Sequence, residues 1–111
     1  TGTRFKYGIQ IGVDNGNAAL LSDIKYFAPA LSPAQVAINT TAEQTFTVTG
    51  LEVGDIIVSI NKPTAQAGLG IVGYRVSAAN TLAITFANVT GTAITPTASE
   101  VYKMVAVKVA V

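Results

Sequence analysis

The sequence predicts an all-β fold, an antiparallel β-sandwich of jelly-roll or immunoglobulin-like type preceded by an N-terminal arm. Three observations carry it. Apolar residues recur with a period near two from Val36 to Val109. Turn signals rich in Gly, Pro and Asn separate the runs at intervals of about ten residues, the spacing of sandwich and barrel strands. Thr, Val, Ile and aromatic residues dominate the runs, as suits a pleated, half-buried surface.

Taken in order, Tyr7, Ile9, Ile11 and Val13 alternate with Gly8, Gln10 and Gly12, a strand pattern ended by Asp14-Asn15-Gly16-Asn17. Asn-Gly favours a type I′ turn, because both residues tolerate positive φ. Ala18–Ala28 fits irregular or extended structure best. A short helix capped by Asn17, or a strand over 24–28 pairing with 7–13, are the alternatives. Pro29 and Pro33 bracket a linker. The predicted division is therefore an arm over residues 1–34 and a sandwich body over 35–111.

Within the body, Val36 and Ile38 begin a strand-like run, and Phe46 and Val48 alternate with threonines. Gly50–Gly54 makes a tight loop into a strand with Ile56, Val58 and Ile60. Residues 70–77 and 81–88, joined by Ala78-Ala79-Asn80, predict an antiparallel hairpin, and Glu100–Val111 closes the chain as a β-rich run. The expected core is Phe46, Ile56, Val58, Ile60, Val72, Tyr74, Val76, Leu82, Ile84 and Phe86. Thr45, Thr47, Ala83, Thr85, Ala87, Ala106 and Ala110 are expected on outer faces, where small residues suit close packing against another subunit.

Composition narrows function by residue type. The 111 residues contain no Cys and no His, which removes disulfides, thiolate and imidazole metal sites, and His-dependent triads. Seven basic and six acidic residues give a net charge of +1 without runs, unlike the footprint of a nucleic-acid binder. No stretch has the roughly 18 consecutive apolar residues of a membrane span. No signal peptide is read at the start, where Thr1-Gly2 suits either removal of an initiator Met or a chosen boundary. Charged residues make up only 12% of the chain, against roughly 25% in an average domain. So little charge suggests surface hidden against partners. A surface made soluble by Thr, Ser, Asn and Gln is the alternative.

Four motifs read as architecture. Gly68-Leu69-Gly70-Ile71-Val72-Gly73 fits G-x-G-x-x-G, but it lacks the preceding strand, the following helix and the later acidic residue of a dinucleotide site. Asp14–Asn17 has one carboxylate, too few for a Ca²⁺ loop. Glu52 and Asp55 share one tight loop, where Asp bonding of local amides is expected rather than paired-carboxylate chemistry. The sequons at Asn39 and Asn88 carry little weight without a secretory signal.

GLEVGDIIVSINKP (residues 50–63), GLGIVGYRVSAANTLAITFANVTG (68–91) and ITPT (94–97) together resemble a recurrent module of tailed-bacteriophage proteins. In that module Gly-Asp enters a strand, an Asn-Lys-Pro-like turn leaves it, and a hairpin leads into a Thr-Phe-x-Asn strand. The module is similar to small virion structural proteins, capsid cement or decoration proteins first among them. The resemblance implies a chain made in the bacterial cytoplasm and placed on the capsid surface of the virion. Its implied partners are the major capsid protein and copies of itself, a trimer being one option. No enzymatic activity, cofactor, metal, nucleic acid or membrane is implied. A phage tail or carbohydrate-binding receptor module is the alternative. The residues themselves suggest an interface: Phe5, Tyr7, Tyr26 and Phe27 cluster in the arm with Arg4, Lys6 and Lys25, and Tyr, Phe and Arg are enriched at contact cores. A first hairpin packing these aromatics on its own sandwich is equally compatible. Arg4, Phe5, Lys6, Tyr7, Tyr26 and Phe27 are the candidate contact residues.

Overall fold

Runs of β-branched and aromatic residues punctuated by Gly, Pro and Asn leave the backbone few partners except neighbouring strands, and strands are what form. The computed structural model describes the backbone of residues 9–10 and 20–109, and the side chains of residues 22–109. Among them are nine strands and no helix. The strands are β1 (Ile9–Gln10), β2 (Leu20–Phe27), β3 (Ala30–Leu31), β4 (Thr40–Thr47), β5 (Ile56–Asn61), β6 (Leu69–Ala78), β7 (Thr81–Asn88), β8 (Glu100–Val101) and β9 (Lys103–Val109). All pair antiparallel, in three sheets ordered β1-β2-β9-β5, β4-β7-β6 and β3-β8.

One apolar cluster joins the two larger sheets. Met104 and Ala106 of β9 contribute to it from one, Leu82, Ile84 and Phe86 of β7 from the other. Leu31 of β3 and the loop residues Val36, Val48, Leu51 and Tyr102 complete it, all buried. The predicted hairpin is present as β6–β7, and Asn80 turns it with φ 58°. Its backbone N–H donates to Leu51 O at 2.8 Å, and its side-chain oxygen accepts from Gly50 N–H at 2.9 Å. The hairpin tip thereby holds the loop that carries Leu51 into the core. Gly50 has φ 109° and lies against the Phe27 ring, so a side chain there would meet both backbone strain and the ring.

Four expected core residues are corrected. Leu82, Ile84 and Phe86 are buried, and Phe46, Ile60 and Val76 pack against the cluster as expected. Ile56, Val58 and Val72 are exposed instead. The cause is β-bulges. On β5, Ile57 faces Ala106 and Ser59 faces Val105, leaving Val58 as the extra residue, so Ile57 and Ile60 point inward across a three-residue step. On β6, Ile71 faces Phe86 and Gly73 faces Thr85, leaving Val72 unpaired in the same way. Tyr74 faces Ile84 on the inner side but remains exposed at the sheet edge. Ala106 is a fifth correction: it is fully buried on the core face, not outward.

Residues on both sides of the expected boundary at 34 share a sheet and the core cluster. β2 lies between β1 and β9, and Leu31 belongs to the core cluster. Of the irregular or extended structure expected over residues 18–28, residues 24–28 take the extended form. They form a strand or its exit because β9 offers a full ladder from Asp23↔Lys108 to Phe27↔Met104. The Asp14–Asn17 turn and the strand expected at residues 11–13 lie outside the described residues.

Candidate interaction surface

The pairing of β2, β9 and β5 decides which side chains share a face. Lys25 opposite Ala106, Phe27 opposite Met104, and Ile57 and Ile60 opposite the same two residues lie on the inner side. Ile24 opposite Val107, Tyr26 opposite Val105, and Ile56 opposite Val107 lie on the outer side. The outer side is apolar. Ile24 is 52% exposed, Tyr26 63%, Ile56 54% and the bulged Val58 55%, with Val105 and Val107 half-buried between the flanking strands. Lys103, at one end, is the charged residue of this face among the described residues. Ser59 and Asn61, opposite Val105 and Lys103, supply polar groups on β5 itself.

The charges of this region are drawn to the other side. Lys25 Nζ donates to Asp55 Oδ2 and Glu52 Oε2, each at 2.8 Å, and to Gly50 O at 3.2 Å. Glu52 N–H donates to Asp55 Oδ2 at 3.0 Å, the local amide bond expected of this loop. Lys108 Nζ reaches Glu52 Oε2 at 3.1 Å. Burial pulls the Lys25 ammonium down, but its hydrogen bonds to Asp55 and Glu52 and their charge outweigh that, and its pKa is raised. Hydrogen bonds from Lys25 and Lys108 hold the Glu52 carboxyl below the usual range. These ion pairs tie β2 to the Gly50–Gly54 loop and leave the outer face free of their charge.

The outer face of the β4–β7–β6 sheet is different. Arg75 forks onto Glu43 across β7, with Nε and Nη2 donating at 2.9 and 3.0 Å. Thr41, Thr45 and Thr47 are exposed there, while Ala83 and Ala87, expected on the outer face, are buried; Thr45 and Arg75 flank Ala83 on the two neighbouring strands.

Of the six candidate contact residues, Arg4, Phe5, Lys6 and Tyr7 lie outside the described residues. Tyr26 stands on the outer apolar face. Phe27 turns inward and packs, partly buried, against the core cluster. Sequence reasoning missed Ile24, Ile56, Val58, Val105 and Val107. Two of them were assigned to the core for want of the β5 bulge. The valines of β9 alternate with Met104 and Ala106, so both faces of that strand are apolar and the pattern alone does not choose between them.

Other features resolve into structure. Gly68 turns into β6 with φ 82° at a close approach to Thr90, and the run continues as a strand, not a helix. Asn88 is buried, its Nδ2 donating to Val36 O at 3.2 Å and Thr92 O at 2.8 Å, so its sequon is a structural clasp. Lys62 Nζ lies 3.0 Å from Glu100 Oε1, an ion contact without hydrogen-bond alignment. Thr64 Oγ1 donates to the other carboxylate oxygen, and this bond holds Glu100 below its usual range despite burial. A shallow cavity of about 160 Å³ lies between the 62–66 loop and β6, lined by Lys62, Gln66, Leu69, Ile71 and Phe86. Among the described residues there is no group of three or more acidic side chains able to hold a metal ion, and no helix long and apolar enough to cross a membrane. Comparison of the chain with protein-family models, with curated proteins and with solved structures returns no match in any of the three.

Proposed function

We propose that the two larger sheets are the layers of an antiparallel β-sandwich, jelly-roll or immunoglobulin-like, and that the chain is a virion structural protein. Its role is that of a capsid cement or decoration protein, bridging and stabilising major capsid subunits on the outer shell of a tailed phage. The observation that supports an assembly role best is the apolar face of β2, β9 and β5, whose charge among the described residues is confined to Lys103 at one end. Exposed apolar area rimmed by polar groups marks surfaces that become buried on association. The sequence resemblance supplies the phage context. Chemistry offers no competing role of equal weight: the near carboxylates Glu52 and Asp55 are both engaged by Lys25.

The test is composition of the particle. Particles produced by the genome that encodes this chain should contain it in many copies by mass spectrometry, and an electron density map should place it on the shell. Absence from purified particles would overturn the proposal. Density on the tail in place of the shell would move it to the tail-module reading.

A further inference from the structure

We propose that the outer face of the β2–β9–β5 sheet is a homodimer interface, packed face to face against the same face of a second copy. The inference deepens the structural reading above and rests on its claim that this face is buried in an assembly.

Size is the first argument. Ile24, Tyr26, Ile56 and Val58 are each more than half exposed on one side of one sheet. With the valines between them they present on the order of 500 Å² of apolar surface, the upper end of what a typical monomer leaves bare. Adding the polar rim at Ser59, Asn61 and Lys103 brings the face close to the roughly 800 Å² per partner of a standard interface.

Charge chooses the occupant. Lys25, Lys108, Glu52 and Asp55 are ion-paired among themselves on the inner side and in the adjoining loop. Among the described residues, a partner recognised through charge would find only Lys103, at the end of the face. A copy related by a twofold axis meets apolar rows with apolar rows, and no like charges oppose each other at the centre. Such an isologous contact needs one self-complementary patch rather than two matched ones.

Shape agrees. Sheet faces pack about 10 Å apart with strands nearly aligned, and the best match for a twisted face is another twisted face. The alternative route to self-association, pairing at the free edge of β5, is obstructed because the bulge at Val58 breaks the regular ladder there. Face-to-face packing does not depend on that edge.

The chain has no cysteine, so a single introduced one reports on a single contact. Purified full-length Tyr26→Cys should form an interchain disulfide under mild oxidation. Thr45→Cys, on the outer face of the other sheet, should stay uncrosslinked under the same conditions. Sedimentation of the unmodified chain at micromolar concentrations should give the mass of two chains. Ile24→Glu and Ile56→Glu, both at exposed positions, should weaken association about 100-fold, as central contacts do, with unchanged circular dichroism. A single-chain mass for the unmodified protein at every concentration overturns the inference, as does a dimer undisturbed by either substitution. Should a Glu variant fail to fold, the Cys pair still decides. A monomer that is nonetheless present in particles sinks the dimer and leaves the virion role standing. A dimer absent from particles upholds the interface and removes the virion role.

Discussion

Phe86 is fully buried on β7, opposite Ala42 and Ile71, in the cluster that joins the two larger sheets. Phe86→Ala should cost about 3–5 kcal/mol, from lost transfer energy and the cavity left behind. Val72→Ala, at an exposed bulge residue of the neighbouring strand, should change stability by less than about 0.5 kcal/mol. Denaturant melts of the two variants check the bulge directly, since regular alternation forecasts a large loss at both. Tyr102 is a different kind of core residue. Its hydroxyl is buried without a hydrogen-bond partner among the described residues, and burial followed by the Glu100 charge pushes its pKa up to about 12. Tyr102→Phe removes an unsatisfied group and keeps the ring. It should be neutral or stabilising, by up to about 1–2 kcal/mol, and a clear loss would reveal a partner for that hydroxyl. Asn80 combines a left-handed backbone with a side-chain bond to Gly50 N–H. Asn80→Ala loses both and should cost about 1–2 kcal/mol, whereas Asn80→Gly keeps the turn and should cost less.

At the scale of elements, β2 is the segment whose role the sequence leaves most open. It pairs with β9 from Asp23 to Phe27, sets Lys25 onto Glu52 and Asp55, and packs Phe27 against the core and Gly50. Removing residues 1–30 therefore strips the cover from Met104 and Ala106 and leaves the buried Asp55 carboxylate without its cation. Uncompensated buried charge is strongly destabilising. The truncated chain should lose its cooperative thermal transition. A truncated product that melts near the parent temperature would return β2 to the status of a detachable arm. The bulges act at this scale too: each inserts one residue, turns the following side chains to the other face, and places Val58 and Val72 outward.

For the whole molecule, pH dependence follows from the direction of each shift. Glu43 is held low by its hydrogen bonds from Arg75, Glu52 by those from Lys25 and Lys108, and Glu100 by its hydrogen bond from Thr64 and then by the adjacent Lys62 ammonium. Each binds its proton less readily folded than unfolded. Their contribution is complete above the ordinary value of 4.5 and is lost as pH falls through the lowered folded values. Lys25 is raised, so its contribution is complete below 10.5 and is lost as pH climbs through the folded value. Tyr102, raised from 10.0 to about 12, adds to the alkaline loss over that interval. Stability measured by denaturant should form a plateau between about pH 5 and pH 10, the unshifted range of these groups. A maximum below pH 4 would contradict the carboxylate directions.

How much of this was legible follows from the physics of each signal. Period-two alternation and Gly, Pro and Asn turns are local properties, so the all-β class, the β6–β7 hairpin and the inward Leu82, Ile84 and Phe86 could be read directly. An extra residue in a strand leaves no compositional mark, because Val58 and Val72 are as apolar as their neighbours; only the partner strand's register shows which residue is left out. The same holds for β9, where Val105 and Val107 alternate with Met104 and Ala106 and both faces are apolar. Which face became the core was settled by what packed on it: Phe27, Ile57 and Ile60, from strands distant in sequence. The apolar outer face, with Tyr26 as the one foreseen contact residue described on it, is a consequence of that choice. Its existence depends on long-range pairing, and the chain's own pattern carries no record of it.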